Sequence, residues 1–330
     1  MTARERFNKV LNFENPGDRL PLTEWHPWWD QTINRFKNEG MPKELNWEQT
    51  QEYFGIDIIY NLAANPREGL PPPKSHGAGY IDEETYETLR PQLMTDGAIE
   101  NMLKQAGQLK SRHDNGDIII RLWLDGYFWF PRTILGIERH LYAFYDEAEL
   151  MRRINSDLVE YNIRTANELY KILEPDFIAV AEDMSYNHGP MLSYALYKDF
   201  ILPYYKKTIP SIKKKNVKIF IDSDGEVKEM IPWLLEAGIE GVCPLERQAG
   251  VDINLLRKKY PKFLLMGGYD KMVMSLGETA MREEFERILP VMKSGGYTPC
   301  TDHHVPPGVS LENYRIYIKL FEQYSRKAVK

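Results

Sequence analysis

Only two cysteines, Cys243 and Cys300, occur in the 330 residues. That excludes a disulfide framework and makes a reducing cytoplasm the expected home of the chain. No apolar run approaches the length of a membrane span, and the charged, amphipathic start "MTARERFNKVLNF" is no secretory leader. Positive charge is not in excess: 42 Lys and Arg stand against 48 Asp and Glu, a net charge of −6. The short "IKKKNVK" (212–218) reads as the solvated end of a helix, so nucleic acid is not an expected partner. Also missing is a glycine-rich phosphate loop after the first strand, which counts against a dinucleotide-binding open sheet.

What is present is a repeating alternation over a chain that is 43% hydrophobic. Thr2 and Glu5 form a capping box ahead of Phe7, Val10, Leu11 and Phe13, which recur at helical spacing. Eight short apolar runs then read as strands: 19–26, 55–62, 117–125, 176–183, 217–224, 239–246, 263–270 and 296–303. Several are continuously apolar in the middle, as parallel strands buried on both faces require. Helical stretches lie between them, among them 146–173 and 194–215, the second with Pro203 as an expected kink. The pattern predicts one domain over residues 1–330, a (β/α)8 TIM barrel with an N-terminal helix, and a doubly wound open sheet is the runner-up. A proline- and glycine-rich insertion (64–93) follows the second strand and is expected over the functional face.

In such barrels the chemistry gathers at the C-terminal ends of the strands. Those ends deliver Glu24 and His26, then Tyr60 and Asn61, then Trp123, Asp125 and Tyr127. The fourth gives Glu182 and Asp183, the fifth Asp222 and Asp224, the sixth Glu246, the seventh Asp270 and Lys271. The eighth gives Asp302, His303 and His304. Polar turn residues end strands anyway, which accounts for Asp183, Asp270 and Asp125 but not for Glu24, Glu246 or the histidine pair.

Each constellation has a plain alternative. Asp224 is equally well read as the cap of the following helix, so Asp222, directly off the strand, is the better site residue. Adjacent strand residues face opposite sides, so only one of His303 and His304 faces the cavity. Glu246 is expected to face the pocket, the alternative being a salt bridge to Arg247 or Arg132. Glu182 follows a fully apolar strand, where burial raises a carboxyl pKa to values suited to acid–base work. Trp25, Trp28, Trp29, Trp123, Phe128 and Trp129 read as core and cavity wall, able to receive a flat group. Cys243 and Cys300 read as small hydrophobes inside strands.

The ordered motifs "TARERFNKVLNFENPGDRLPL", "EDMSYNHGPMLS", "FILPYYKK", "FIDSDGEV", "PLERQAGVDINLLRKKY", "LLMGGYDK" and "GGYTPCTDHHVPPGVSLENYRIY" together resemble the uroporphyrinogen decarboxylase family over almost the whole chain. The resemblance implies a (β/α)8 barrel and one of two activities. True uroporphyrinogen decarboxylases carry an "RQAGRY"-type, arginine-rich loop after the first strand. Here that position reads "EWHPWWDQTINRF" (24–36), so tetrapyrrole decarboxylation is not expected. The other branch, cobalamin-linked methyltransferases, holds zinc with a His-x-Cys pair and a later Cys. Asp222 and Asp224 fall at the pair, and His303 falls near the last position.

The resemblance therefore implies a metal-dependent methyltransferase of a corrinoid-linked system, with Asp222, Asp224 and His303 holding a divalent metal, zinc before manganese or iron. Glu246, Glu182, His303 and Asp125 are the expected catalytic groups. Glu24, His26, Tyr60, Trp123, Tyr127, Arg132 and Lys271 are the expected substrate contacts. The expected partners are a small-molecule substrate and a corrinoid protein; a homodimer is left open. A cofactor-free lyase is the alternative, with Asp125, Tyr127 and His303 as proton donors and Arg67, Arg121, Arg132 and Lys271 as the available cations. A non-catalytic binding barrel is the third reading.

Overall fold

The computed structural model describes residues 1–25, 28–71, 73, 75, 77–80 and 85–330. Its centre is a curled parallel sheet of seven strands: β1 (Ile59–Ala63), β2 (Ile119–Asp125), β3 (Phe177–Ala181), β4 (Lys218–Asp222), β5 (Gly241–Cys243), β6 (Leu264–Tyr269) and β7 (Tyr297–Thr301). They are ordered as they occur in the chain, every neighbouring pair is parallel, and helices connect them. This is the barrel-type α/β arrangement that the alternation of apolar runs predicts.

The expected first strand is corrected. Residues 19–24 run extended but form no ladder. Pro21 has no N–H to give, and the backbone of Leu22 is taken by Asp57, whose N–H donates to Leu22 O (2.8 Å) and whose carboxylate accepts Leu22 N–H (2.9 Å). The segment is attached to β7 through a side chain: Glu24 accepts from Thr301 N (3.0 Å) and Thr301 Oγ1 (2.7 Å). The sheet is thus seven-stranded, with extended chain rather than an eighth strand beside β7.

Inward-pointing residues of the strands build a core of their own: Ile59, Ile119, Phe177, Ala179, Phe220, Cys243, Leu264, Met266 and Cys300, with Trp25. The N-terminal helix Ala3–Leu11, capped as expected by the Thr2–Glu5 box, adds Phe7 and Leu11 to it. Asp176, at the N-terminal approach to β3, holds that helix by accepting from Arg4 Nε (2.7 Å) and Asn8 Nδ2 (2.7 Å), and it also contacts His113 Nε2 (3.0 Å). The N-terminal helix thus plugs that end of the sheet.

Two helical expectations change. The stretch 194–215 is not a kinked helix but two helices, Tyr194–Phe200 and Leu202–Ile212, with Pro203 in the first turn of the second, where its missing N–H costs nothing. Asp224 caps no helix, since the next one, Ile231–Ala237, starts after Met230. The described part of the insertion lies against the helix Trp129–Leu135: Tyr80 N–H donates to Ile134 O (2.8 Å), and Ala78 bridges Gly136. No helix is long and apolar enough to cross a membrane, among the described residues.

Candidate active site

Register alone puts Asp125, Ala181, Asp222 and Cys243 in one layer at the C-terminal end of β2 to β5. Cys243 and Phe220 belong to the interior core, so the alternation of β4 turns Asp222 inward as well. Its Oδ1 lies 3.9 Å from Cys243 Sγ. Burial, and then the nearby Asp224, push its pKa up to about 8, while Arg121 and His303 pull the other way.

Just above this layer, three loops converge. Asp224 leaves β4, and its N–H is accepted by the Asp183 carboxylate. Arg132 fixes that carboxylate from Nη1, at 2.8 Å to Asp183 Oδ2 and 3.1 Å to Asp183 O. Asp183 itself takes a left-handed φ of 41°, a conformation that short polar side chains tolerate best. Gly225 has φ 82°, and a Cβ there would come within 2.6 Å of the Tyr186 backbone, so only glycine passes at that point. Its N–H donates to Glu246 Oε2 at 2.9 Å, which draws the loop after β5 toward the loop after β4.

His303, after β7, completes the group. Its Nε2 lies 3.5 Å from Asp224 Oδ2. That contact raises the imidazole pKa against the opposing effect of burial, with Glu246 adding to the rise. One donor atom each from Asp224, Glu246 and His303 lies within 4.8 Å of the other two. Lys271 Nζ stands 3.9 Å from Glu246 Oε1 and 3.3 Å from Asp302 Oδ1. Asp302 is fully buried and accepts Arg247 N–H (2.8 Å) and Lys271 N–H (3.2 Å), so it ties three loops together. His304 turns away to meet Trp29 edge-on, and burial lowers its pKa to about 4.

Several expected site residues are committed elsewhere. Glu182 is fully buried and accepts Tyr127 N–H (2.9 Å), Phe128 N–H (2.7 Å), Trp129 N–H (3.2 Å) and the Tyr205 hydroxyl. Its pKa is indeed pushed up to about 7 by burial, but the carboxylate holds a chain reversal rather than facing the mouth. Asp125 has the inward parity yet is paired with Arg67 from the insertion. Glu24 is consumed by Thr301 and by Tyr317 Oη (2.8 Å). Tyr60 has the opposite parity to the inward Ile59, and its hydroxyl meets Glu48 and Arg112 outside the sheet. Tyr127 is fully buried against Tyr204 and Tyr205. The expected metal set also changes: Glu246, not Asp222, joins Asp224 and His303. His26 lies outside the described residues. Trp123 and Lys271 do reach the interior and the mouth, and Arg132 supports it through Asp183.

One interior residue entered the sequence reading only as an available cation of the lyase alternative. Arg121 sits between Ile119 and Trp123 on β2, on the inward parity, with its guanidinium carbon 4.2 Å from the Trp25 ring centre and 4.8 Å from that of Trp123. The signal was legible: in "IIRLWLD" a period of two that turns Ile119 and Trp123 inward turns Arg121 inward too.

Acidic, imidazole and lysine side chains thus converge at the C-terminal end of a parallel, barrel-type sheet. The model of the uroporphyrinogen decarboxylase (URO-D) family matches residues 132–324. The chain belongs to that family. No curated protein matches it in sequence. Among solved structures it is similar to a methyltransferase from Methanosarcina mazei, at 16% identity and a TM-score of 0.71, covering 98% of this chain and 99% of that one. It is also similar to a B12-independent methionine synthase from Shewanella sp. W3-18-1 in complex with selenomethionine, at 14% identity and a TM-score of 0.51, covering 94% and 93%. At these identities the likeness is one of fold.

Proposed function

We propose that the chain is a methyltransferase whose mouth holds a divalent cation on Asp224, Glu246 and His303. The observation that carries this reading is the convergence of those three side chains from three different strand ends, with donor atoms within 4.8 Å of one another. The donor set fits a metal: two carboxylates and one imidazole leave coordination positions open and suit zinc as well as manganese or iron. Metal–ligand bonds of about 2.0–2.2 Å would draw the three donors closer together. A bound cation supplies Lewis-acid polarisation at the substrate atom that gains or loses the methyl group. Two solved structures similar in fold to this chain, a methyltransferase and a B12-independent methionine synthase, support methyl transfer as the reaction class.

The chain's own residues have distinct parts in this scheme. Gly225 N–H orients the Glu246 carboxylate, and Asp183 holds the backbone of the loop that carries Asp224. His303 would hold a cation through its neutral imidazole, so binding would release a proton from it. Lys271 offsets the negative charge of Glu246 and Asp302. Trp25 and Trp123 present aromatic faces beneath the mouth and keep water out of the interior. A small molecule is the proposed substrate and a corrinoid protein the proposed methyl-carrying partner. The reading is tested by metal content and methyl transfer in wild type and in the E246Q and H303A variants; retention of full activity by both variants, or transfer unaffected by chelation, would sink it.

A second reading, a cofactor-free lyase, is favoured by the inward position of Asp222 beside Cys243 in the interior layer, where burial pushes its pKa up to about 8. Asp222 would then replace Asp125 and Tyr127 as the donor to carbon. Turnover of a carboxylated compound by chelator-treated protein, lost in D222N, selects this reading over the first.

A further inference from the structure

Arg121 is 4% exposed and lies across the barrel interior from β2. Trp25 and Trp123 flank its guanidinium at 4.2 and 4.8 Å. Its Nε donates to the neutral amide oxygen of Asn61 at 3.2 Å. Nη1 is buried and has no hydrogen-bond partner. Of the other strongly buried arginines, Arg6 is paired with Asp18 and Asp57, and Arg257, although its Nε has no partner, donates from both Nη atoms to three backbone carbonyls. A buried cation is expected to be paired and to have its donors satisfied. Arg121 forms no ion pair and leaves Nη1 unsatisfied, among the described residues, and the acid group that acts on it is Asp222, further up the interior.

We propose that Arg121 is the anchor for a carboxylate group of the substrate, received between Trp25 and Trp123 at the floor of the site. The guanidinium offers two parallel N–H donors from a fixed plane, which matches a planar carboxylate better than a point charge or a neutral group. The two indole rings hold that plane and exclude water, which strengthens the pair. Asn61 fixes the Nε side of the fork and leaves the outer donors to the ligand. The proposal deepens the reading of the mouth as a methyl-transfer site: it makes the substrate a small carboxylic acid, its acid group held on Arg121 and its reacting end directed up toward Asp224, Glu246 and His303.

The test uses chelator-treated full-length protein, so that a carboxylate cannot be captured by a metal. Benzoate and acetate are titrated while tryptophan fluorescence is read, with benzamide and acetamide as neutral isosteres. The expected result is saturable binding of the acids, at least tenfold tighter than the amides, falling at least tenfold in R121M and in R121K. Equal binding of acids and amides by wild type would overturn the proposal without any variant being needed. So would undiminished acid binding by folded R121M. Because the metal is absent throughout, failure here leaves the cation-binding reading intact, and loss of that reading leaves this one standing.

Discussion

Asp224 and His303 meet across the mouth, Oδ2 to Nε2 at 3.5 Å, although one follows β4 and the other β7. The contact favours the protonated imidazole, so His303 has a folded pKa above its ordinary value. Stability from this pair is full below the unfolded pKa near 6.5 and is lost as pH rises through the folded value. In metal-free protein, a ring-proton NMR titration should place His303 above 6.5, and D224N should bring it down. A His303 titrating below its ordinary value would show that the two side chains do not interact.

Asp222 gives a pH dependence over a wider window. Its pKa goes from 3.8 in the unfolded chain to about 8 in the native state. Between those values the unfolded chain releases the proton while the native state keeps it, so stability declines as pH rises from about 4 to about 8. D222N removes that slope. Urea unfolding at pH 5 and pH 8 should show wild type losing more stability than D222N; parallel losses in the two proteins would place Asp222 in contact with solvent.

Glu182 is predicted to matter for stability and not for chemistry. Replacing it by alanine strands three backbone N–H groups and the Tyr205 hydroxyl in a buried site. The cost should reach about 3 kcal/mol, read as a lower urea midpoint with an unchanged slope. An E182A protein of wild-type stability that has lost its activity would restore the catalytic role that the sequence suggested.

Arg67 and Asp125 join the insertion to the end of β2. Arg67 also donates to Thr133 Oγ1 at 3.0 Å, on the helix that the insertion lies against. R67A should therefore release residues 64–71 to faster hydrogen exchange and proteolysis, with a global cost below the roughly 3–5 kcal/mol of breaking a fully buried pair. Unchanged exchange of that segment in R67A would mean that the backbone contacts of Tyr80 and Ala78 hold it unaided.

Much of this arrangement could be read from residue order. Seven of the eight apolar runs became strands because continuous apolar stretches between helices have few other ways to bury both faces. The run at 19–26 failed because Pro21 cannot donate and Asp57 captures the backbone of Leu22, an interaction that pattern does not reveal. At the site, strand-end position named Asp224, Glu246 and His303, but it grouped Asp222 rather than Glu246 with the other two, because which loops converge is a tertiary fact. Glu182 looked catalytic because its strand is apolar; that the following loop folds three N–H groups onto it is a tertiary fact. Tyr60 and Arg121 show the reverse. Strict parity along β1 and β2 would have sent Tyr60 out and Arg121 in, and it was legible in both cases.

The central claim is that the converging side chains of Asp224, Glu246 and His303 bind a divalent cation. Calorimetric titration of zinc and manganese into chelator-stripped protein tests it most directly, run on wild type, H303A and E246Q at constant pH. The account predicts one site per chain in wild type, accompanied by proton release from His303 below its folded pKa, and a loss of tenfold or more in affinity in each variant. Equal affinity in all three proteins, or no saturable binding in wild type, would contradict it.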